Sequence, residues 1–234
     1  MGGTITPFVY QKWRDSTLGS ITERRELDLT LDLAGELDGR RVLDVGCGDG
    51  TYALAAAERG ALVSGVDIAP EMISAAEARA VVRGLHIDLR VGYAAALPFD
   101  DGAFDVVIAV TLLCLGSDPG AAVAECARVT APGGRVVVGE FGRWNLWAAS
   151  RRLRGWLGSS TWRTARFWPA RRLERLMSGV GLVVDRVEGA VYNPPAPLAA
   201  RLLAPVDRVP ARYTTTGAAF IAVAAHQSEL GGRP

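Results

Sequence analysis

Between Arg41 and Phe141, short β-branched apolar runs alternate with alanine-rich stretches of helical period, and no other feature of the chain restricts its fold as strongly. The apolar runs are Arg41–Val45, Ala61–Val66, Ile87–Val91, Phe104–Val110 and Arg135–Gly139. The helical patterns between them are Tyr52–Arg59, Glu71–Arg83 and Gly120–Thr130. Strands that are apolar on both faces and joined by helices predict right-handed βαβ units in a parallel sheet covered on both sides. Pro70 and Asp118-Pro119 mark two of the helix starts, and Ala131-Pro132-Gly133-Gly134 predicts a break before the fifth strand.

The flanks depart from this repeat. Residues 1–38 predict one or two polar-faced helices with Tyr10, Trp13, Leu18 and Ile21 on the apolar side. Residues 142–168 hold five of the six tryptophans among many arginines, and Trp144, Trp147, Leu153, Trp156 and Leu157 recur at helical spacing. Beyond them Pro169–Ser178 predicts a helix, Gly181–Val187 a strand and Thr214–Ala225 a final strand. The proline-rich stretch Asn193–Pro210 predicts an irregular crossover with a short helix around Leu198–Leu203.

Composition narrows the class of function. Of 234 residues 49% are hydrophobic, which excludes a disordered chain, and 26 basic against 25 acidic residues leave a net charge of +1. That balance supplies no global attraction for nucleic acid or a membrane surface. Cys47, Cys114 and Cys126 have no metal-ligand spacing, so no metal is expected and reduced thiols in a cytoplasmic protein are. Met1 to Arg25 lacks the apolar core of a signal peptide, and no run reaches the roughly 18 apolar residues of a membrane span.

The chemistry concentrates at Val42-Leu43-Asp44-Val45-Gly46-Cys47-Gly48-Asp49-Gly50, which follows a strand and opens a helix. Glycines here let the backbone turn tightly and approach a ligand, while the helix start presents free N–H groups. A dinucleotide loop needs its third glycine where this chain has Thr51, and the Asp44 carboxylate would repel a pyrophosphate. A carboxylate there suits a ligand carrying an ammonium or sulfonium. Asp67, at the end of the second apolar run, is of the type that accepts both hydroxyls of a ribose, a feature dinucleotide folds share.

Four blocks in register carry a resemblance: Val42–Gly50; Val66-Asp67-Ile68-Ala69-Pro70-Glu71-Met72; Ala96-Leu97-Pro98-Phe99-Asp100-Asp101-Gly102-Ala103-Phe104-Asp105-Val106-Val107; and Arg128-Val129-Thr130-Ala131-Pro132-Gly133-Gly134-Arg135. Over residues 40–142 the chain resembles the class I S-adenosylmethionine-dependent methyltransferases of the broad bacterial type 11 group. The resemblance implies a doubly wound, Rossmann-like α/β fold: a seven-stranded, mostly parallel sheet with an antiparallel last strand and an α-helical cap. It divides the chain into an N-terminal helical cap (1–38), a cofactor-binding core (39–142), a Trp/Arg-rich cap insertion (143–168) and the C-terminal part of the core sheet (169–234). S-adenosylmethionine is the implied cofactor and S-adenosylhomocysteine the product. Gly46, Cys47, Gly48 and Gly50 would form the loop at the methionine moiety, steadied by Asp44. Asp67 would hold the ribose, Ile68 and Met72 would pack on the adenine, and Thr111 and Leu112 would line the methyl end. Where many members carry Gly-Asp-Ala, this chain has Gly92-Tyr93-Ala94, so Tyr93 and the Ala94 backbone would replace the usual adenine-binding carboxylate.

Methyl transfer asks mainly for positioning, and a base only when the acceptor must lose a proton. Glu140, ending the fifth strand, and Tyr10 are the candidates for catalysis; Trp13, Arg143 and Trp144 are the candidates for acceptor binding. His86 and His226 fall on the side opposite the crevice expected of this fold. The expected function is methylation of a small-molecule acceptor held between cap and crevice. The alternatives are a non-catalytic cofactor-binding protein, a protein attached peripherally to an anionic membrane through the Trp/Arg region, and an NAD-dependent reductase, which Asp44 and Thr51 disfavour. Nucleic acid is not expected as a partner. The acceptor, the atom methylated and the oligomeric state are not encoded in any motif.

Overall fold

The computed structural model describes residues 6–203 and 214–228. The chain opens with α1 (Pro7–Arg14) and α2 (Thr17–Ala34), then runs β1 (Arg41–Val45), α3 (Thr51–Ala57), β2 (Leu62–Asp67), α4 (Pro70–Arg83) and β3 (Asp88–Val91). It continues through β4 (Phe104–Val110), α5 (Pro119–Val129), β5 (Thr130–Phe141), α6 (Leu146–Trp156), α7 (Ser160–Thr164) and α8 (Ala170–Ser178). The described elements end with β6 (Leu182–Ala190), α9 (Pro197–Leu203) and β7 (Phe220–Gln227).

The strands form one seven-stranded sheet in the order β3-β2-β1-β4-β5-β7-β6. Strands β1 to β5 pair in parallel, and β7 runs antiparallel between β5 and β6. Alternate residues of each central strand enter opposite cores. On one face Leu43, Val45, Val107, Ala109, Val136 and Val138 pack with Val123 and Cys126 of α5 and with Leu173 and Met177 of α8. On the other, Val42, Ile108, Val110 and Val137 pack with Leu31 and Leu33 of α2, Tyr52 and Ala56 of α3, and Trp147 of α6. The chain moves outward from β1 to β3 and then crosses back to place β4 on the other side of β1. Strand order therefore reverses between β1 and β4, and a crevice opens above their C-terminal ends.

Most element boundaries agree with the sequence to within a residue or two. Pro70 occupies the first turn of α4 and left-handed Gly84 ends it; the Asp118 side chain accepts from the Ala121 N–H at 3.0 Å to start α5. Two strands differ. Strand β5 begins at Thr130 instead of Arg135, because the Ala131–Gly134 break is taken up as an irregularity between the pairs Phe104↔Thr130 and Val106↔Arg135. Strand β7 begins at Phe220 instead of Thr214, since Thr216 donates its N–H to Thr214 Oγ1 and Gly217 adopts a left-handed φ of 92°, which makes a turn. The crossover expected over Asn193–Pro210 holds helix α9, and its residues 204–210 lie outside the described residues. Among the described residues no helix is long and apolar enough to cross a membrane.

Candidate active site

The glycine loop curls over the end of β2. Gly46 and Cys47 both donate their N–H groups to the Val66 carbonyl, at 2.7 and 3.0 Å. Gly46, Gly48 and Gly50 have φ values of 72°, 53° and 86°, a left-handed succession that side chains resist. A Cβ on Gly46 would come within 2.8 Å of Leu112 Cδ1, whereas one on Gly48 would project into open space. Leu112 therefore closes one side of the loop, and the space over Gly48 is a backbone-lined cradle.

Carboxylates flank this cradle. Asp67 accepts from the Gly48 N–H through Oδ2 and from the Ala69 N–H through Oδ1, both at 2.9 Å. Each oxygen keeps a further lone pair, so two hydroxyls fit the remaining capacity. Asp44 lies behind the loop, buried, and accepts from the Ala53 N–H of α3 at 2.9 Å. Burial, with the nearby Asp67 charge, pushes Asp44 up to about 7. This enclosed carboxylate gains from an incoming cation and opposes an incoming phosphate. Met72 is buried beside the cradle, Ile68 is 62% exposed at its edge, Tyr93 is 66% exposed, and Ala94 is half-buried against the core.

At the end of β4, Thr111 has a φ of 51°, a costly conformation for a β-branched residue. It is held by its N–H to the Gly139 carbonyl at 2.7 Å and by its own carbonyl, which accepts from Cys114 Sγ at 3.1 Å. Glu140 lies beneath this loop. It is wholly enclosed, and its Oε1 accepts from the Leu113 N–H at 2.6 Å while Oε2 has no partner. Burial pushes it up to about 8. Its enclosure points to fixing residues 111–114 in place; the side chain does not face the open crevice.

Helices α1 and α2 cover the loop through a charged latch. The Arg14 guanidinium pairs with Asp49 inside the glycine loop and reaches Glu23 of α2 at 3.3 Å. From below, Arg79 of α4 meets the same Asp49 carboxylate at 2.8 Å. Tyr10 packs under the Arg14 guanidinium and beside Trp13. Burial, then Glu23, Glu26 and Asp49, push its phenol well above the ordinary range, so it stays protonated at neutral pH. The buried residues of α2 are Gly19, Thr22, Glu26 and Thr30, followed by Leu31, Leu33 and Ala34; of the apolar side expected from the sequence, Leu18 is half-buried against the core and Ile21 is half-buried.

The Trp/Arg region splits into an outer and an inner set. Arg143 stacks on Trp144 at 5.1 Å, and Trp144 is 64% exposed. Leu146, Leu153 and Trp156 share that exposure. The inner set is Phe141, Trp147, Trp162 and Arg151, which the sequence does not distinguish from its neighbours. The two histidines are remote: His226 pairs with Asp185 and stands opposite Arg135 at the start of the parallel run of β5, and His86 lies beside Arg41 and Phe104 at the N-terminal ends of β1 and β4. Among the described residues all three cysteines are buried and free, and no cluster with metal-ligand composition occurs.

A family model described as a methyltransferase domain matches residues 43–138, which span β1 through most of β5. A ubiquinone biosynthesis O-methyltransferase of Idiomarina loihiensis is 34% identical over 164 residues, covering 68% of each chain. A demethylmenaquinone methyltransferase of Thermus thermophilus is 44% identical over 120 residues, covering 50% of this chain and 53% of its own. Among solved structures, an S-adenosylmethionine-dependent methyltransferase of Thermotoga maritima, described as a possible histamine N-methyltransferase, superposes with a TM-score of 0.71 at 20% identity over 94% of both chains, a likeness of fold. With the cradle, the ribose-type carboxylate and the enclosed Asp44, these relations set aside the nicotinamide reading. The chain belongs to the class I S-adenosylmethionine-dependent methyltransferases of the type 11 kind, and S-adenosylmethionine is its cofactor.

Proposed function

We propose that the protein methylates a small molecule held between the α2–α6 cap and the C-terminal ends of β4 and β5. The observation that carries this reading is the latch. Arg14, Asp49, Glu23 and Arg79 tie the N-terminal helices to the cofactor loop, which encloses the crevice in a way that suits a small acceptor better than a macromolecular one. The relatives named for quinone biosynthesis also support a small acceptor.

When bound, S-adenosylmethionine supplies an electrophilic methyl group on its sulfonium and leaves as S-adenosylhomocysteine by in-line displacement. The chain supplies position. The backbone of Gly46–Gly48 and the buried Asp44 hold the amino-acid end, Asp67 holds the ribose, and Ile68, Met72, Tyr93 and Ala94 flank the base. Thr111 and Leu112 wall the methyl end, with Glu140 keeping that wall fixed from below. Tyr10 is a protonated donor in the lid. Glu26, buried on α2 and pushed up to about 7 by burial, is the carboxyl best suited to hold a proton released by the acceptor. Trp13 lines the lid, while Arg143 and Trp144 shape the outer rim.

The test is incubation of the purified protein with methyl-labelled S-adenosylmethionine and a panel of phenols, catechols, amines and carboxylates. Label transfer to at least one acceptor, with stoichiometric S-adenosylhomocysteine, is expected. Cofactor binding without any transfer across the panel would support the non-catalytic alternative.

A further inference from the structure

Arg151 projects from α6 into an aromatic cage. Its guanidinium carbon lies 3.9 Å from the Phe141 ring centroid, 4.9 Å from Trp162 and 5.2 Å from Trp147. Only 8% of the residue is exposed. A guanidinium so enclosed ordinarily meets a carboxylate or carbonyl oxygens. Among the described residues none of its nitrogens makes a hydrogen bond or an ion pair, although those of Arg14, Arg41, Arg83, Arg90, Arg128, Arg166, Arg175 and Arg186 do. Nor are those nitrogens sealed off: among the described residues the fully enclosed side-chain polar atoms without a hydrogen bond are Arg14 Nε, which ion-pairs with Glu23, and Thr22 Oγ1, Glu140 Oε2, Trp168 Nε1 and Gln227 Oε1. The guanidinium is thus almost fully desolvated and unpartnered, yet its nitrogens are not sealed from solvent.

The cage stands at the C-terminal end of β5, the end of the sheet at which the crevice opens. Phe141 ends β5 directly after Glu140. The charge of Arg151 is felt at Cys114, in the loop that Glu140 fixes, and at Glu26 on α2 across the gap. Among the described residues Glu26 is the carboxylate whose charge acts on Arg151, and the two form no ion pair. One helical turn from Glu26, on the same buried face of α2, the Thr22 hydroxyl also lacks a partner. Unmet polar groups thus line both walls. The aromatic rings hold the cation over their faces and leave the forked edge of its donors for a planar anion.

We propose that Arg151 receives an anionic oxygen group, a carboxylate or phenolate, of the methyl acceptor, with Phe141, Trp147 and Trp162 fixing its orientation and Glu26 and Thr22 forming the opposite wall. This rests on the methyltransferase reading and narrows its substrate class to anionic acceptors. Arg151 is a specificity-determining residue in this role.

The experiment uses benzoate and its neutral methyl ester as probes, followed by tryptophan fluorescence with and without saturating S-adenosylhomocysteine. Benzoate is expected to bind at least about tenfold more tightly than the ester. Arg151→Gln should lose that preference while keeping S-adenosylhomocysteine affinity within about twofold, and Arg151→Lys should keep part of it. Glu26→Gln, which removes the competing negative charge, should tighten benzoate binding. Equal binding of the two probes by the wild type, benzoate affinity unchanged in Arg151→Gln, or equal weakening in Arg151→Gln and Glu26→Gln, as for a purely structural pair, would overturn the proposal. Should Arg151→Gln fail to fold, the wild-type comparison and Arg151→Lys decide. Failure of S-adenosylhomocysteine to bind while benzoate is still preferred would instead count against the methyltransferase reading.

Discussion

Gly46 and Gly48 are two residues apart and share a left-handed backbone, yet a side chain would do different harm at each. An alanine at either position carries the steric cost of that conformation, about 1–2 kcal/mol. At Gly46 the new methyl also meets Leu112 at 2.8 Å, so Gly46→Ala should cost more stability by urea denaturation than Gly48→Ala. At Gly48 nothing protein-borne stands in the way, and the methyl enters the cradle. Gly48→Ala should therefore weaken S-adenosylmethionine by more than about tenfold in a calorimetric titration while leaving most of the stability in place. An opposite ranking would mean that the cradle does not hold the ligand. The glycines, Asp44 and Asp67 are legible in the sequence because local geometry restricts which residues can stand there. Arg151 is not: Arg143, Arg152, Arg154 and Arg163 surround it in the same stretch, and only tertiary packing selects the one that turns inward. Trp147 and Trp162 are hidden among five tryptophans for the same reason.

At the scale of elements, the parallel strands announce themselves because burial on both faces leaves unbroken β-branched runs, as in Val106–Val110 of β4. Helix α2 conceals its role. From Thr17 to Thr30 it buries Gly19, Thr22, Glu26 and Thr30 beside a half-buried Leu18, and a search for apolar periodicity selects Leu18 and Ile21 without the polar residues. A polar stripe at helical spacing is the available signal, and it marks a helix that covers a site as well as a core. Gly19 lets α1 fold back on α2, since a Cβ there would lie 1.9 Å from the Trp13 carbonyl oxygen. Gly19→Ala is therefore expected to displace α1 and open the Arg14–Asp49 pair. Arg14→Ala should have a similar consequence without backbone strain. In both variants, hydrogen exchange of residues 7–14 should accelerate and S-adenosylhomocysteine should dissociate faster, by several-fold. Unchanged exchange and release would show that the latch does not retain the ligand.

For the whole molecule, the enclosed carboxyls predict an unusual pH response. Asp44 and Glu26 are pushed up to about 7 and Glu140 to about 8, each chiefly by burial. Their ordinary values in the unfolded chain are near 4. Between these limits the folded state holds protons that the unfolded chain releases, so stability falls as pH rises from about 5 to 8. Thermal melts of the ligand-free protein should show a lower Tm at pH 8 than at pH 6. Saturating S-adenosylmethionine should reduce the difference, because a bound cation favours ionised Asp44. A Tm that rises across this interval would contradict the upward shift of these carboxyls by burial. The parallel βαβ core was open to sequence reasoning through the repeat and its handedness, and the seven-stranded sheet with its antiparallel last strand through the resemblance. Which charged groups end up enclosed was not, because that depends on how the cap meets the sheet.

The central claim is that an enclosed negative charge behind the glycine loop selects a cationic nucleoside. Isothermal titration of S-adenosylmethionine into the wild type and Asp44→Asn at pH 7.5 tests it most directly, since asparagine keeps an acceptor for the Ala53 N–H and removes only the charge. Binding by the wild type, weakening of at least about tenfold in Asp44→Asn, and no heat from NAD with either protein are expected. Equal affinities in the two proteins would contradict that claim.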